Sequence, residues 1–176
     1  MAKLDRRSIL LGGTALAAIA ALPFGARLLT AAIAQEGSPV PGTFEVTHTD
    51  AEWKQILGDD AFNIMRRQGT EAPGTSALLN EHRPGTFACA GCDLPLFDAA
   101  TKFESGTGWP SFFQPLPNAV ATNTDSSLGM TRDEVHCRRC GGHLGHVFDD
   151  GPKPTGLRYC MDGFALVFHP AAPSAS

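Results

Sequence analysis

The stretch Glu134-Val-His-Cys137-Arg-Arg-Cys140-Gly-Gly-His143-Leu-Gly-His146-Val-Phe148-Asp-Asp-Gly-Pro-Lys-Pro-Thr-Gly-Leu-Arg158-Tyr-Cys160-Met-Asp162-Gly-Phe-Ala-Leu-Val-Phe168 sets short apolar runs between glycine, proline and aspartate. Runs this short, separated by turn residues, read as antiparallel strands rather than helices. The same texture begins at Arg83 and continues through Phe87-Ala88, Leu96-Phe97, Lys102-Phe103 and Val120-Ala121-Thr122. The chain is therefore expected to be mainly β. Residues 157–168 read as one central strand, because both of its faces are largely apolar. A period of two places Arg158, Cys160, Asp162, Phe164, Leu166 and Phe168 on one face.

Helical signals lie upstream. Thr49-Asp50-Ala51-Glu52 has the capping-box pattern, with an acceptor at the cap and a carboxylate three residues on. It predicts a short helix over 50–57, closed by Gly58 and burying Trp53, Ile56 and Leu57. A second helix is predicted over 60–67, burying Phe62, Ile64 and Met65 and ended by Gln68-Gly69.

The chain has 176 residues, a length that favours one domain with additions. Its charge is divided unevenly. Residues 1–34 hold Lys3, Arg6, Arg7 and Arg27 against Asp5 alone, leaving ten basic and seventeen acidic residues, a net of −7, on the remainder. Nucleic acid needs a basic face, so it is excluded as a partner. Arg6-Arg7, an uncharged run over 9–22 and the small residues of Ala32-Ile33-Ala34 have the three parts of a signal peptide. The arginine pair resembles a twin-arginine export signal. The apolar run falls short of the ~20 residues that span a bilayer, and Pro23 interrupts it. We expect cleavage after Ala34, no stable membrane insertion afterwards, and a periplasmic product in a bacterium. An uncleaved anchor is the other reading. Residues 35–48 read as a linker and 171–176 as a tail.

Five cysteines divide into two pairs and one remainder. Cys89-Ala-Gly-Cys92 and Cys137-Arg-Arg-Cys140 are C-x-x-C turns separated by 44 residues. Two such turns present four thiolates tetrahedrally, as one structural zinc ion requires. A redox dithiol would need a thioredoxin-like βαβ pattern, which is missing. Two disulfides in an exported protein are the remaining alternative. Cys160 is left over, with Arg158 two residues before it. A guanidinium beside a thiol favours the thiolate and makes Cys160 a candidate nucleophile, although taken alone a leftover cysteine reads first as a buried, inert residue. His143 and His146 alter that balance. Three residues apart in a flat strand they would face opposite ways, but Gly145 permits a bulge that turns both imidazoles to one side. An imidazole near a thiolate stabilises it and delivers protons.

These residues do not stand alone. The chain resembles the methionine-R-sulfoxide reductases of the B type through Gly69-Thr70-Glu71, Pro84-Gly85-Thr86-Phe87, Lys102-Phe103 with Ser105-Gly106-Thr107-Gly108-Trp109-Pro110-Ser111-Phe112, Gly129-Met130, His143-Leu144-Gly145-His146-Val147-Phe148 and Arg158-Tyr159-Cys160. The likeness runs from about Trp53 to Phe168 and takes in both C-x-x-C turns. It implies two antiparallel sheets, short N-terminal helices and a zinc apart from the active site, in a reductase domain over 49–170. It implies reduction of the R epimer of methionine sulfoxide, in proteins or free, as a repair step on the methionine oxidation ladder. Carried over, Cys160 attacks the sulfoxide sulfur and keeps the oxygen as a sulfenic acid. His143 and His146 position and protonate that oxygen, and Arg158 supports the thiolate. Trp109, Phe148 and Asp162 take substrate-binding positions. A thioredoxin-like protein or a small thiol is the implied reductant, and a monomer is expected.

Two positions depart from the pattern. Asp162 stands where the family usually has Asn, and an ionised carboxylate cannot donate as an amide does. Asp162 would then either pair with Arg158 or a histidinium, or remain protonated. Thr107 stands where many relatives carry a second, resolving cysteine. A zinc-bearing protein-binding module without catalysis is the rival reading of the chain, and disulfide exchange through the C-x-x-C pairs is a weaker one.

Overall fold

The computed structural model describes residues 44–172. The signal peptide, the first nine residues of the expected linker and residues 173–176 of the tail lie outside the described residues. The helical signals appear as one element, α1 (Asp50–Arg67), with non-helical geometry at Gly58 (φ 74°, ψ 178°). Two helical segments therefore meet at the glycine expected to separate them, where a residue with a side chain would be strained. The Thr49–Glu52 capping box is complete in both directions. Trp53, Phe62, Ile64 and Met65 are buried, whereas Ile56 lies on the open side of α1, half exposed.

Nine strands follow among the described residues: β1 (Gly85–Cys89), β2 (Pro95–Asp98), β3 (Lys102–Phe103), β4 (Ser111–Phe112), β5 (Val120–Asp125), β6 (Arg132–Cys137), β7 (His143–Phe148), β8 (Arg158–Met161) and β9 (Leu166–Pro170). They form two sheets, ordered β2-β1-β9 and β3-β4-β8-β7-β6-β5, and every pairing is antiparallel. The mainly β, two-sheet expectation holds. Phe112 of the larger sheet stacks on Phe97 of the smaller, ring centroids 4.4 Å apart, and meets Phe87 edge-on at 4.9 Å. These three rings are fully buried, and each contributes roughly 1.5–3 kcal/mol of transfer free energy.

One expectation is corrected here. Residues 157–168 are not a single strand. β8 ends at Met161, a 3-10 turn spans Gly163–Ala165, and β9 joins the other sheet. Asp162 stands between β8 and that turn, its amide donating to the Leu144 carbonyl of β7 (2.8 Å) and its own carbonyl accepting from the Ala165 amide (3.1 Å). The period of two misled because Met161 and Leu166 are each buried, but in different sheets. β8 itself is central, between β4 and β7. The end of the expected linker is also packed. Phe44 meets His136 edge-on, His48 meets Trp53 in the same way, and the Val46 amide donates to the Arg139 carbonyl at 3.2 Å.

Candidate active site and metal centre

The metal centre is built where two strands end. Cys89 closes β1 and Cys137 closes β6, and each turns into its C-x-x-C loop. Backbone bonds tighten both loops, from the Asp93 amide to the Cys89 carbonyl (2.8 Å) and from the Gly141 amide to the Cys137 carbonyl (2.9 Å). The four sulfurs lie within 4.8 Å of one another. Cys89 and Cys140 are 3.6 Å apart and Cys92 and Cys137 3.5 Å, so the near neighbours come from different loops and all four are free thiols. Tetrahedral zinc–sulfur bonds of about 2.3 Å place sulfurs about 3.8 Å apart, so this donor set fits one ion. The two-disulfide alternative does not fit these separations. Arg66 of α1 donates to the Cys140 carbonyl (3.0 Å) and Arg139 to the Cys92 carbonyl (3.2 Å). The centre thereby ties α1, the smaller sheet and the larger sheet together.

The second constellation gathers on β7 and β8. Glu134 pairs with His146 and Val135 with Gly145, but His136 pairs with His143, so Leu144 is an extra residue. This bulge brings the His143 and His146 rings to 5.4 Å from each other, as expected from Gly145. Gly145 has φ +148°, and a Cβ there would fall on the Cys160 carbonyl oxygen. On β8, Cys160 pairs with Ser111 on one side and His146 on the other.

Each histidine is held by a carboxylate. His143 Nδ1 is 2.7 Å from Glu134 Oε1, and His146 Nε2 is 2.9 Å from Asp125 Oδ2. The His143 bond holds the Glu134 carboxyl below its usual range, so Glu134 is the acceptor and Nδ1 the donor. His143 Nε2 is left buried with no hydrogen-bond partner among the described residues. Its nearest acid is Asp162, with Oδ2 at 3.9 Å. Burial pushes the His146 imidazole down, against the pull of Asp125. Asp125 is held low by the Ser127 backbone and hydroxyl and by His146, and Arg132 also contacts it at 2.7 Å.

Arg158 is committed elsewhere than the sequence suggested. It makes a two-pronged pair with Asp150, at 2.7 and 2.9 Å, and its guanidinium lies 4.3 Å over the Phe148 ring. It does not pair with Asp162. Its charge still favours the Cys160 thiolate, as does the Thr107 hydroxyl, yet burial outweighs both and the thiol pKa is raised overall. Asp162 adds to that rise. Burial pushes the Asp162 carboxyl itself up to about 6, against a hydrogen bond from the Glu71 amide and the attraction of His143. Glu71 links the remaining parts. Its amide donates to Asp162 Oδ1 (2.9 Å), its carboxylate accepts from the Gly163 amide, and its carbonyl accepts from the half-buried Trp109 indole (3.2 Å).

Cys160, His143, His146, Arg158, Trp109, Asp162 and Phe148 thus form one connected region, and the four paired cysteines form another. A family model described as the SelR domain matches residues 57–170. The "Peptide methionine sulfoxide reductase MsrB" of Agrobacterium fabrum is 50% identical over 127 residues, which is 72% of this chain and 94% of that protein. The chain belongs to the MsrB family of peptide methionine sulfoxide reductases. The MsrB protein of Leptospira interrogans is likewise 50% identical, over 126 residues and 96% of its length. The "Peptide methionine sulfoxide reductase B1, chloroplastic" of Arabidopsis thaliana is 51% identical over 119 residues, 67% of this chain and 59% of that one.

In this MsrB-family chain the sequence reading missed four supporting acids: Glu71, Asp125, Glu134 and Asp150. A hairpin folded about the Cys137–Cys140 turn would have brought Glu134 opposite the histidines. No local signal links Glu71 to Asp162, which lies 91 residues on.

Proposed function

We propose that this chain reduces the R epimer of methionine sulfoxide to methionine, in proteins and as the free amino acid, and so repairs oxidised protein. The carrying observation is the pairing of Cys160 with His146 across β7 and β8, on a bulge that also carries His143, whose buried Nε2 has no hydrogen-bond partner among the described residues. Cleaving S–O needs the oxygen protonated as the nucleophile arrives, and a dry pocket strengthens both effects. Cys160 sulfur bonds to the sulfoxide sulfur and takes over the oxygen. The transient sulfur–sulfur bond breaks, the sulfoxide is reduced by two electrons to the thioether, and Cys160 is oxidised to a sulfenic acid. His143, held at Nδ1 by Glu134, presents Nε2 to the departing oxygen, and His146 stands beside it on the same bulge. Trp109, tied to the Glu71 carbonyl, forms the apolar wall for the substrate methyl. Arg158, pinned by Asp150, favours the thiolate.

An external thiol, from a thioredoxin-like protein or a small molecule, attacks the sulfenic acid, water leaves and a mixed disulfide forms; a second thiol then releases Cys160 as a thiol. Thr107 stands 3.8 Å from the Cys160 sulfur, and a hydroxyl cannot perform that exchange. The four paired cysteines hold one zinc ion, which contributes folding free energy and no chemistry. The enzyme acts as a monomer, exported through Arg6-Arg7 and cleaved after Ala34.

The test gives the protein the separate R and S sulfoxides of a methionine derivative with a dithiol. Turnover of the R epimer alone is expected, lost in Cys160→Ser. After one turnover without reductant, dimedone should label Cys160. A disulfide between Cys160 and any paired cysteine would overturn this reading.

A further inference from the structure

Three hydroxyls form a hydrogen-bonded file that starts at the Cys160 sulfur and turns back beside it, because Ser111 is the β4 partner of Cys160 and its hydroxyl also favours the thiolate. Thr107 Oγ1 is 3.8 Å from Cys160 Sγ, Ser105 Oγ is 2.8 Å from Thr107 Oγ1, and Ser111 Oγ is 2.8 Å from Ser105 Oγ. The file ends at the Trp109 carbonyl, 3.1 Å from the Ser111 hydroxyl. The Thr107 amide also donates to Ser105 Oγ at 3.4 Å, which holds the middle of the file in place. Ser111 is fully buried and cannot be satisfied by solvent.

Each hydroxyl has one proton to donate, so a file of them has a direction. With Cys160 as a thiol, its S–H donates to Thr107, Thr107 to Ser105, Ser105 to Ser111, and Ser111 to the Trp109 carbonyl. A thiolate has nothing to donate and needs a donor. The file then runs the other way, with Ser111 donating to Ser105, Ser105 to Thr107, and Thr107 to the sulfur. No proton travels along it. The thiol proton leaves to water, and the hydroxyls turn about their C–O bonds. We infer that Thr107, Ser105 and Ser111 are positioning residues that hold Cys160 as a thiolate by reversing together when it ionises. Neighbouring dipoles in a file strengthen one another, so Ser105 acts on the sulfur without touching it.

The file works against a surrounding that disfavours the thiolate. Facing Cys160 are Arg158 on its own strand, Asp162 beyond it, and His143 and His146 on β7. Arg158 is shared with Asp150, His146 is bonded to Asp125, and Asp162 opposes ionisation. This inference rests on Cys160 being the nucleophile.

The test is the pH dependence of Cys160 alkylation by iodoacetamide in the full, zinc-loaded chain, followed by mass on the peptide that carries Cys160. Thr107→Val keeps the shape and removes the hydroxyl. Its midpoint should rise by about one pH unit, and alkylation at pH 7 should slow about tenfold. Ser105→Ala should move both in the same direction, by about threefold in rate, with the Thr107 contact intact. Thr107→Ser should behave as wild type. An unchanged midpoint in both Thr107→Val and Ser105→Ala overturns the inference, as does a Thr107→Ser variant that behaves like Thr107→Val. The proposed reaction is judged apart from this: reductase activity persisting in Cys160→Ser removes the reaction, whereas the alkylation midpoints judge the file.

Discussion

Asp162 accepts from the Glu71 amide on one oxygen and faces His143 Nε2, 3.9 Å away, on the other. Its carboxyl is raised from 3.8 to about 6, first by burial. A raised acid holds its proton in the folded state after the unfolded chain has lost it. Stability is therefore lost as pH climbs from about 4 to about 6. Asp162→Asn removes that loss. We expect the variant to be more stable than wild type at pH 7.5, by on the order of 2 kcal/mol, and no more stable at pH 4, in urea titrations at both values. Because the Asp162 charge also raises the Cys160 thiol, the variant should keep or increase activity near neutral pH, with a shifted pH–rate profile. A hundredfold loss would show that the carboxyl is required for proton delivery.

At the scale of elements, the β7 bulge matters most. Gly145 takes a positive φ and leaves no room for a side chain over the Cys160 carbonyl. Gly145→Ala should cost about 2 kcal/mol or more, because strain and overlap combine. It should also lower kcat/KM at least tenfold, since a shift of β7 separates His143 from Glu134 and both histidines from Cys160. Thermal melting and steady-state kinetics check the two effects. This bulge was foreseen from His143-Leu-Gly-His146, because glycine between two residues of the same chemistry has few other uses in a strand. The capping box of α1 was equally legible. The end of β8 was not. Apolar alternation continues through Met161, Gly163 and Ala165, and nothing in that pattern says that the chain changes sheet.

For the molecule as a whole, the four-cysteine cluster is the joint between α1 and the two sheets. A structural zinc supplies about 10 kcal/mol or more of folding free energy in small domains, as much as the whole net stability of a typical domain. Changing any one of Cys89, Cys92, Cys137 or Cys140 to Ser should lower the melting temperature by 10 °C or more, an estimate of roughly 3 kcal/mol spread over a domain of this size. Metal analysis should fall from one zinc per chain towards none. A metal-free protein that melts as wild type would remove the zinc assignment. Export is tested on cells. Arg6-Arg7→Lys-Lys should leave the protein in the cytoplasm, with the activity of the folded product intact. Normal export of the Lys pair would favour the general secretion route.

The features readable along the chain are those in which the chemistry lies within a few residues. The two C-x-x-C turns, the Thr49–Glu52 box, the glycine between two histidines and the Arg158–Cys160 spacing are all of this kind. They were enough for a mainly β fold, a four-thiolate centre and a candidate nucleophile. What required the folded molecule is the ionisation of that nucleophile's surroundings. Glu134 and Asp125 fix the two imidazoles, Asp150 takes up the Arg158 fork, and Glu71 reaches across 91 residues to Asp162. A pKa depends on burial and on charges within a few ångströms, and folding sets both without regard to distance along the chain.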